Sequence, residues 1–195
     1  MFANGAAFAA FSYTVATSAS SQRLGEGGAP LDADGDPTTN GAPDPNREWV
    51  NPTGGEVRGQ DGYGCGSFGV CTRRSPSGAV TGHQGTDYVS AAGEEVRAVT
   101  SGTVDKTNLF VRRGDDSLWY VKIKTSDGYV IRQGYIDRAT ITVDAGDIVT
   151  AGQVIGKASS LQQAYPPIRT GVMTDHIHVD IRRNGAVVNP ETLTK

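Results

Sequence analysis

From about residue 60 onward the chain is written in short alternating runs, and no helix-length apolar stripe interrupts them. "EEVRAVTSGTVDK", "SLWYVKIKT", "GYVIRQGYI", "ATITVDAGDIVTAGQVIGKA" and "HIHVDIRRNGAVVNP" are separated by Gly, Asp and Ser turns. A period of two sends successive side chains to opposite faces, which suits antiparallel strands with one face on a core. Ser126 to Gly128, between two such runs, is a hairpin signal. The 26 glycines suit a turn-rich chain of this kind. The expected fold is mainly β: an antiparallel sheet domain over residues 60–195, preceded by an irregular N-terminal arm.

The upstream third reads differently. Residues 25–59 are dense in Gly, Pro, Asp and Asn and carry almost no apolar periodicity, so a linker is expected there. Within it Asp32, Asp34 and Asp36 stand at calcium-loop spacing. The glycine falls one place early and no bidentate Glu follows, so a solvated acidic turn is the reading. Residues 1–24 form an apolar arm too interrupted to span a bilayer, expected to serve as a docking or membrane-touching segment. A net charge of −3 gives no electrostatic case for nucleic acid.

The chain has three histidines, and two of them stand in "DHIHVDI". His176 and His178, at i and i+2 of a strand, would share one face, with Ile177, Val179 and Ile181 on the other. The third, His83, precedes Asp87 by four residues in "GHQGTDY". One carboxylate and up to three imidazoles is a donor mixture that suits Zn²⁺, and three ligands leave a fourth position open for water.

These elements come in a recognisable order. "SFGVCTRRSPSGAVTGHQGTDYVSAAGEEVRAVTSGTV", "WYVKIKTSDGYVIRQGYI", "VDAGDIVTAGQVIGKA" and "DHIHVDIRRNGAVVNP" resemble, in sequence, the segments of the lysostaphin-type zinc endopeptidases. The resemblance covers roughly residues 64 to 190. It implies a groove-lined zinc site with His83, Asp87 and His178 as ligands and His176 as a catalytic histidine. It also implies cleavage of peptide cross-links in bacterial peptidoglycan, with the metal polarising the carbonyl and activating water. The family has a further histidine at the end of its central strand, in a Y-x-H context, and "RQGYID" places Asp137 there. Asp137 is thus the second expected catalytic position, and its charge would oppose an oxyanion unless it served as a base or were itself protonated beside other carboxylates.

Two functions follow: a zinc endopeptidase, or an impaired relative that binds zinc or wall peptide as a structural module. The insert "SSLQQAYPPIRTGVMT" is expected to shape one wall of the groove, stiffened by Pro166 and Pro167. Arg132, Tyr135 and Arg169 lie near that groove without a settled role. Cys65 and Cys71 are expected to form a local disulfide, which points to an oxidising compartment. The expected setting is a phage tail or the periplasmic or extracellular wall space, with residues 1–59 meeting other tail or envelope proteins.

Overall fold

The computed structural model describes residues 41–70, 73–74, 80–113 and 116–195. The alternating runs form strands β1 (Arg73–Arg74), β2 (Val80–Thr81), β3 (Thr86–Val89), β4 (Glu95–Arg97), β5 (Gly102–Arg113) and β6 (Asp116–Lys124). They continue as β7 (Tyr129–Ile136), β8 (Ile148–Val149), β9 (Val154–Lys157), β10 (His176–Arg183) and β11 (Ala186–Val188). One helical turn, α1 (Leu161–Ala164), is the only α-helix among the described residues, which is the mainly β antiparallel class expected. None of the described helices is long and apolar enough to cross a membrane.

Seven strands make one antiparallel sheet in the order β11-β10-β7-β6-β5-β8, with β3 also paired to β10. The first half of β10 pairs with β3 and the second half with β11, both on the edge away from β7. The Ser126–Gly128 turn joins β6 to β7 as expected, closed by Thr125 N–H to the Tyr129 carbonyl at 3.0 Å.

Alternation sorts the two faces. Val121 and Ile123 of β6, Ile131 of β7, and Ile177, Val179 and Ile181 of β10 are fully buried in one cluster. Val96 and Ile155, from the separate β4–β9 ladder, close the same cluster from the far side. Each such side chain contributes about 1.5–3 kcal/mol by burial. Gln133 is buried among them because its amide is fully used: it accepts from Val99 N–H at 2.9 Å and donates to the Arg97 carbonyl at 2.8 Å. That clamp ties β7 to the segment after β4.

The linker expected at 25–59 is, over its described part, tertiary structure. Val50 N–H donates to the Val99 carbonyl at 2.8 Å and Val89 N–H to the Glu56 carbonyl at 2.9 Å. Trp49 packs edge-on against Tyr129, and Arg47 pairs with Asp127 at 2.6 Å. These contacts are single anchors spaced along an extended strap, so no periodicity announces them. The apolar arm, the acidic run at Asp32–Asp36 and Cys71 lie outside the described residues.

Candidate metal centre

Register brings the expected ligands together. In the β3–β10 ladder Asp87 stands directly opposite His178, although they are 91 residues apart in the chain. His83 sits in the turn that leads into β3. That turn passes beneath the His178 imidazole, which only glycine permits. A Cβ on Gly85 would lie 2.6 Å from the ring and 2.6 Å from the Val179 carbonyl oxygen.

His178 Nδ1 lies 2.8 Å from Asp87 Oδ1 and 3.2 Å from His83 Nε2, and the latter is 3.5 Å from the same Asp87 oxygen. One donor atom from each of His83, Asp87 and His178 thus falls within 4.8 Å of the others. The second polar atom of each is already engaged. His83 Nδ1–H donates to the Gly66 carbonyl at 3.0 Å, which leaves its Nε2 lone pair facing the site. His178 Nε2 faces Asp180 Oδ2 at 3.6 Å, and Asp180 accepts from Arg132 at 2.8 Å. Asp87 Oδ2 accepts from Arg58 Nη2 at 2.9 Å and Nε at 3.2 Å. Outer partners of this kind fix imidazole tautomers and aim ligand lone pairs. Two imidazoles and one carboxylate, converging with their outer atoms held, fit a Zn²⁺ site with an open position.

The charges are consistent with that reading. Burial would raise the Asp87 pKa, but the hydrogen bond from His178 and the charges of His176, His178 and His83 outweigh it, so the carboxyl sits well below the usual range. Burial works against charge on His178 too, yet Asp180 and Asp87 hold its pKa raised to about 9.

His176 shares the face of His178 while Ile177 and Val179 enter the core, as the alternation requires. Its Nδ1–H donates to the Thr174 carbonyl at 2.7 Å, and Nε2 comes to 3.6 Å from Asp87 Oδ2. Burial chiefly lowers its pKa to about 4, so the ring is neutral near pH 7 and its Nε2 lone pair is available.

Asp137 is not brought to this group. β7 ends at Ile136, and Asp137 caps the following 3-10 turn (Arg138–Thr140): its Oδ1 accepts from Ala139 N–H at 3.0 Å. The side chain is exposed and lines a different cavity, with Lys157 and Ser160. The residue that β7 sends to the site is Tyr135. Trp119 pairs with Ile136 and Tyr120 with Gly134, so Tyr135 is an extra residue in the ladder, with φ at +70°. A bulge with a left-handed residue re-aims a side chain that would otherwise follow the pleat. The "QGY" run carried a signal for it, since glycine inside a strand often marks a bulge. Replacing Asp137 by Ala is therefore expected to leave metal binding at the His83, Asp87 and His178 group unchanged. The loss of the cap should cost at most about 1 kcal/mol, read by urea denaturation.

A second bulge, at Phe110 between the Leu109–Trp119 and Val111–Leu118 pairs, adds another ring. Gly134 makes room for it: a Cβ there would come within 2.8 Å of the Phe110 ring. Phe110, Tyr135, Tyr165 and Tyr63 surround the metal-ligand group in a cavity of about 370 Å³. The insert forms one wall, as expected, through Tyr165 and Met173. It is docked on the strap: Tyr63 O–H donates to the Pro166 carbonyl at 2.6 Å and Thr174 N–H to Asp61 Oδ2 at 2.9 Å. Arg169 is exposed and does not line the cavity; Arg132 reaches it indirectly, over the Phe110 ring and through Asp180. Arg58, placed in the linker by its sequence surroundings, is a full member of the site.

A curled antiparallel sheet presenting His, Asp and His from adjacent elements, with a further imidazole alongside, is a site of the metallopeptidase kind. The chain belongs to peptidase family M23, whose profile matches residues 81–190. Among curated proteins it is similar to Myeloid protein 1 of Gallus gallus, 33% identical over 130 residues, covering 67% of this chain and 36% of that protein. It is also similar to Peptidoglycan DD-endopeptidase ShyC of Vibrio cholerae, 29% identical over 117 residues, covering 60% of this chain and 24% of that protein. The chain therefore spans only about a quarter to a third of these relatives' length. Among solved structures, Helicobacter pylori Csd3 shares the fold, with a TM-score of 0.51 at 18% identity over 76% of this chain and 35% of that one. Arg58 and Tyr63 lie upstream of the matched residues, so the strap adds to the site what the family profile does not cover.

Proposed function

We propose that this chain is a zinc-dependent endopeptidase acting on the peptide cross-links of bacterial peptidoglycan. The observation that carries it is the convergence of His83 Nε2, Asp87 Oδ1 and His178 Nδ1 beside the neutral His176, all in one open cavity. His83, Asp87 and His178 would hold the ion, which when bound supplies Lewis-acid polarisation and a more acidic water. The protein's own part is acid–base and positional. His176 Nε2 takes the proton of the attacking water and returns it to the departing amine, while Thr174 holds the ring by its Nδ1–H. Arg58, Asp180 and the Gly66 carbonyl keep the ligands aimed. The substrate class is supported by the Vibrio relative, named for peptidoglycan DD-endopeptidase action.

The working place we infer is the cell-wall space, reached from a phage tail or across a bacterial envelope. The part of residues 1–59 that precedes the strap would dock on neighbouring tail or envelope proteins, and a Cys65–Cys71 disulfide would belong to the same oxidising setting.

A second reading rests on the histidine count: the sequence has three, and none remains to serve beside His176. On that reading the protein binds zinc and wall peptide without cutting. Purified peptidoglycan decides between them. Peptides with new amino termini, lost on chelation and regained with one zinc per chain, are expected; stoichiometric zinc with no release would establish the binding module instead.

A further inference from the structure

We propose that Tyr135 is a catalytic residue, its phenol O–H donating to the carbonyl oxygen that gains charge as the peptide bond is attacked. The inference rests on the endopeptidase reading above and concerns the part of that reaction for which the sequence shows no group.

Tyr135 is held where only a deliberate backbone distortion puts it. A non-glycine residue at φ +70° is uncommon, and such residues concentrate at functional sites. The distortion converts a core-facing strand position into one that faces the ligands: neighbours Gln133 and Ile136 are fully buried, while the Tyr135 ring meets His176 edge-on at 5.0 Å and lies 6.4 Å from His178. Phe110, itself on a bulge, packs edge-on against it at 5.0 Å and fixes its direction. Two irregularities in adjacent ladders thus serve one ring.

Two other donors that line the cavity are committed. Arg58 is used by Asp87, Asp61 and the Gly64 carbonyl. Tyr63 O–H is used by the Pro166 carbonyl. Arg113 lies over the Tyr165 ring at 4.6 Å and hydrogen-bonds to its hydroxyl, and the Tyr165 ring meets Tyr135 edge-on at 6.4 Å. Tyr135 lines the same cavity as His83, Asp87 and His178, and burial keeps the proton on its phenol, so a carbonyl entering there meets an O–H. Tyr165 and Arg113 are then positioning residues. A phenol is protonated at neutral pH, so it can donate where a carboxylate would repel.

The step balances as an ordinary hydrolysis. The water oxygen bonds to the carbonyl carbon as its proton passes to His176 Nε2. The carbonyl oxygen takes the π electrons and accepts the Tyr135 hydrogen bond. The C–N bond then breaks, the nitrogen receiving the proton from His176 while the C=O re-forms. The Tyr135 proton stays on the phenol throughout.

The test compares wild type with Tyr135→Phe, which keeps the ring and its packing and removes one O–H. Losing one such donor is expected to lower kcat by about 100-fold with little change in KM. It should also weaken a peptide phosphinate, which mimics the tetrahedral carbon, by about 100-fold while leaving the uncut peptide's affinity unchanged. Zinc content should stay that of wild type. Equal cleavage and equal phosphinate affinity in the two proteins would overturn the role of Tyr135 and leave the endopeptidase reading intact. A wild type that cleaves nothing and does not prefer the phosphinate to the peptide would overturn both.

Discussion

On the endopeptidase reading, a His178→Ala chain is expected to bind no stoichiometric zinc and to release no peptide while keeping its fold. His178 is the middle member of the triad, at 2.8 and 3.2 Å from the other two donor atoms. Without it a single imidazole and a single carboxylate remain, too few for a structural or catalytic zinc site. The loss of affinity should exceed the roughly 10–100-fold typical of removing an outer-shell partner. The fold is spared because the side chain faces the cavity and the core-facing neighbours Ile177 and Val179 are untouched.

The same residue sets a pH dependence. Its folded pKa of about 9 exceeds the ordinary 6.5, so in the metal-free chain the charged pair with Asp87 and Asp180 adds stability below pH 6.5. That contribution is lost as pH rises through about 9. Zinc must displace the proton, so binding near pH 7.5 should release about one proton per ion from His178, and affinity should fall as pH falls below 9. Calorimetry in two buffers of different ionisation enthalpy reads the proton count, and wild-type zinc content in the alanine variant would remove His178 from the ligand set.

The largest stability effect is expected at Arg58. Its guanidinium is almost completely buried and joins Asp87, Asp61 and the Gly64 carbonyl. Arg58→Met keeps the volume and removes one partner from each of two carboxylates, leaving Asp87 with His178 and Asp61 with the Thr174 and Tyr63 N–H groups. Breaking a buried pair by removing one partner costs about 3–5 kcal/mol, and the partners that remain place the expected loss at the lower end of that range. The loss should be largest without metal and shrink when zinc is bound, since the ion's charge then compensates Asp87. Urea denaturation with and without zinc measures the difference. An equal loss in both conditions would mean that Arg58 acts through Asp61 and the docking of the insert, and not through the ligand carboxylate.

The contrast between Asp137 and Tyr135 shows how far local pattern reaches. His176 and His178 share a face because a strand's period is two, and that rule needs no tertiary information. Carried along "RQGYID" the same rule fails, because the bulge at Tyr135 adds a residue and the strand stops before Asp137. A bulge is a property of two paired strands, so one strand's sequence hints at it, through Gly134, without placing it. Arg58 was hidden for a different reason. A strap held by isolated anchors has no period, and its neighbours Gly54, Gly55 and Gly59 resemble those of a free linker.

The sequence by itself determined the antiparallel β class, the turn at Ser126–Gly128, the His83/Asp87/His178 grouping and the place of His176. Those features rest on side-chain alternation and on an ordered set of motifs, both local to the chain. Only the tertiary structure decided that Tyr135 faces the His83, Asp87 and His178 group, that Asp137 does not, and that Arg58 and Tyr63 of the strap complete the cavity. Each of these depends on which segments pair and in what register, and contacts across about 15 to 100 residues are set by packing of the whole domain.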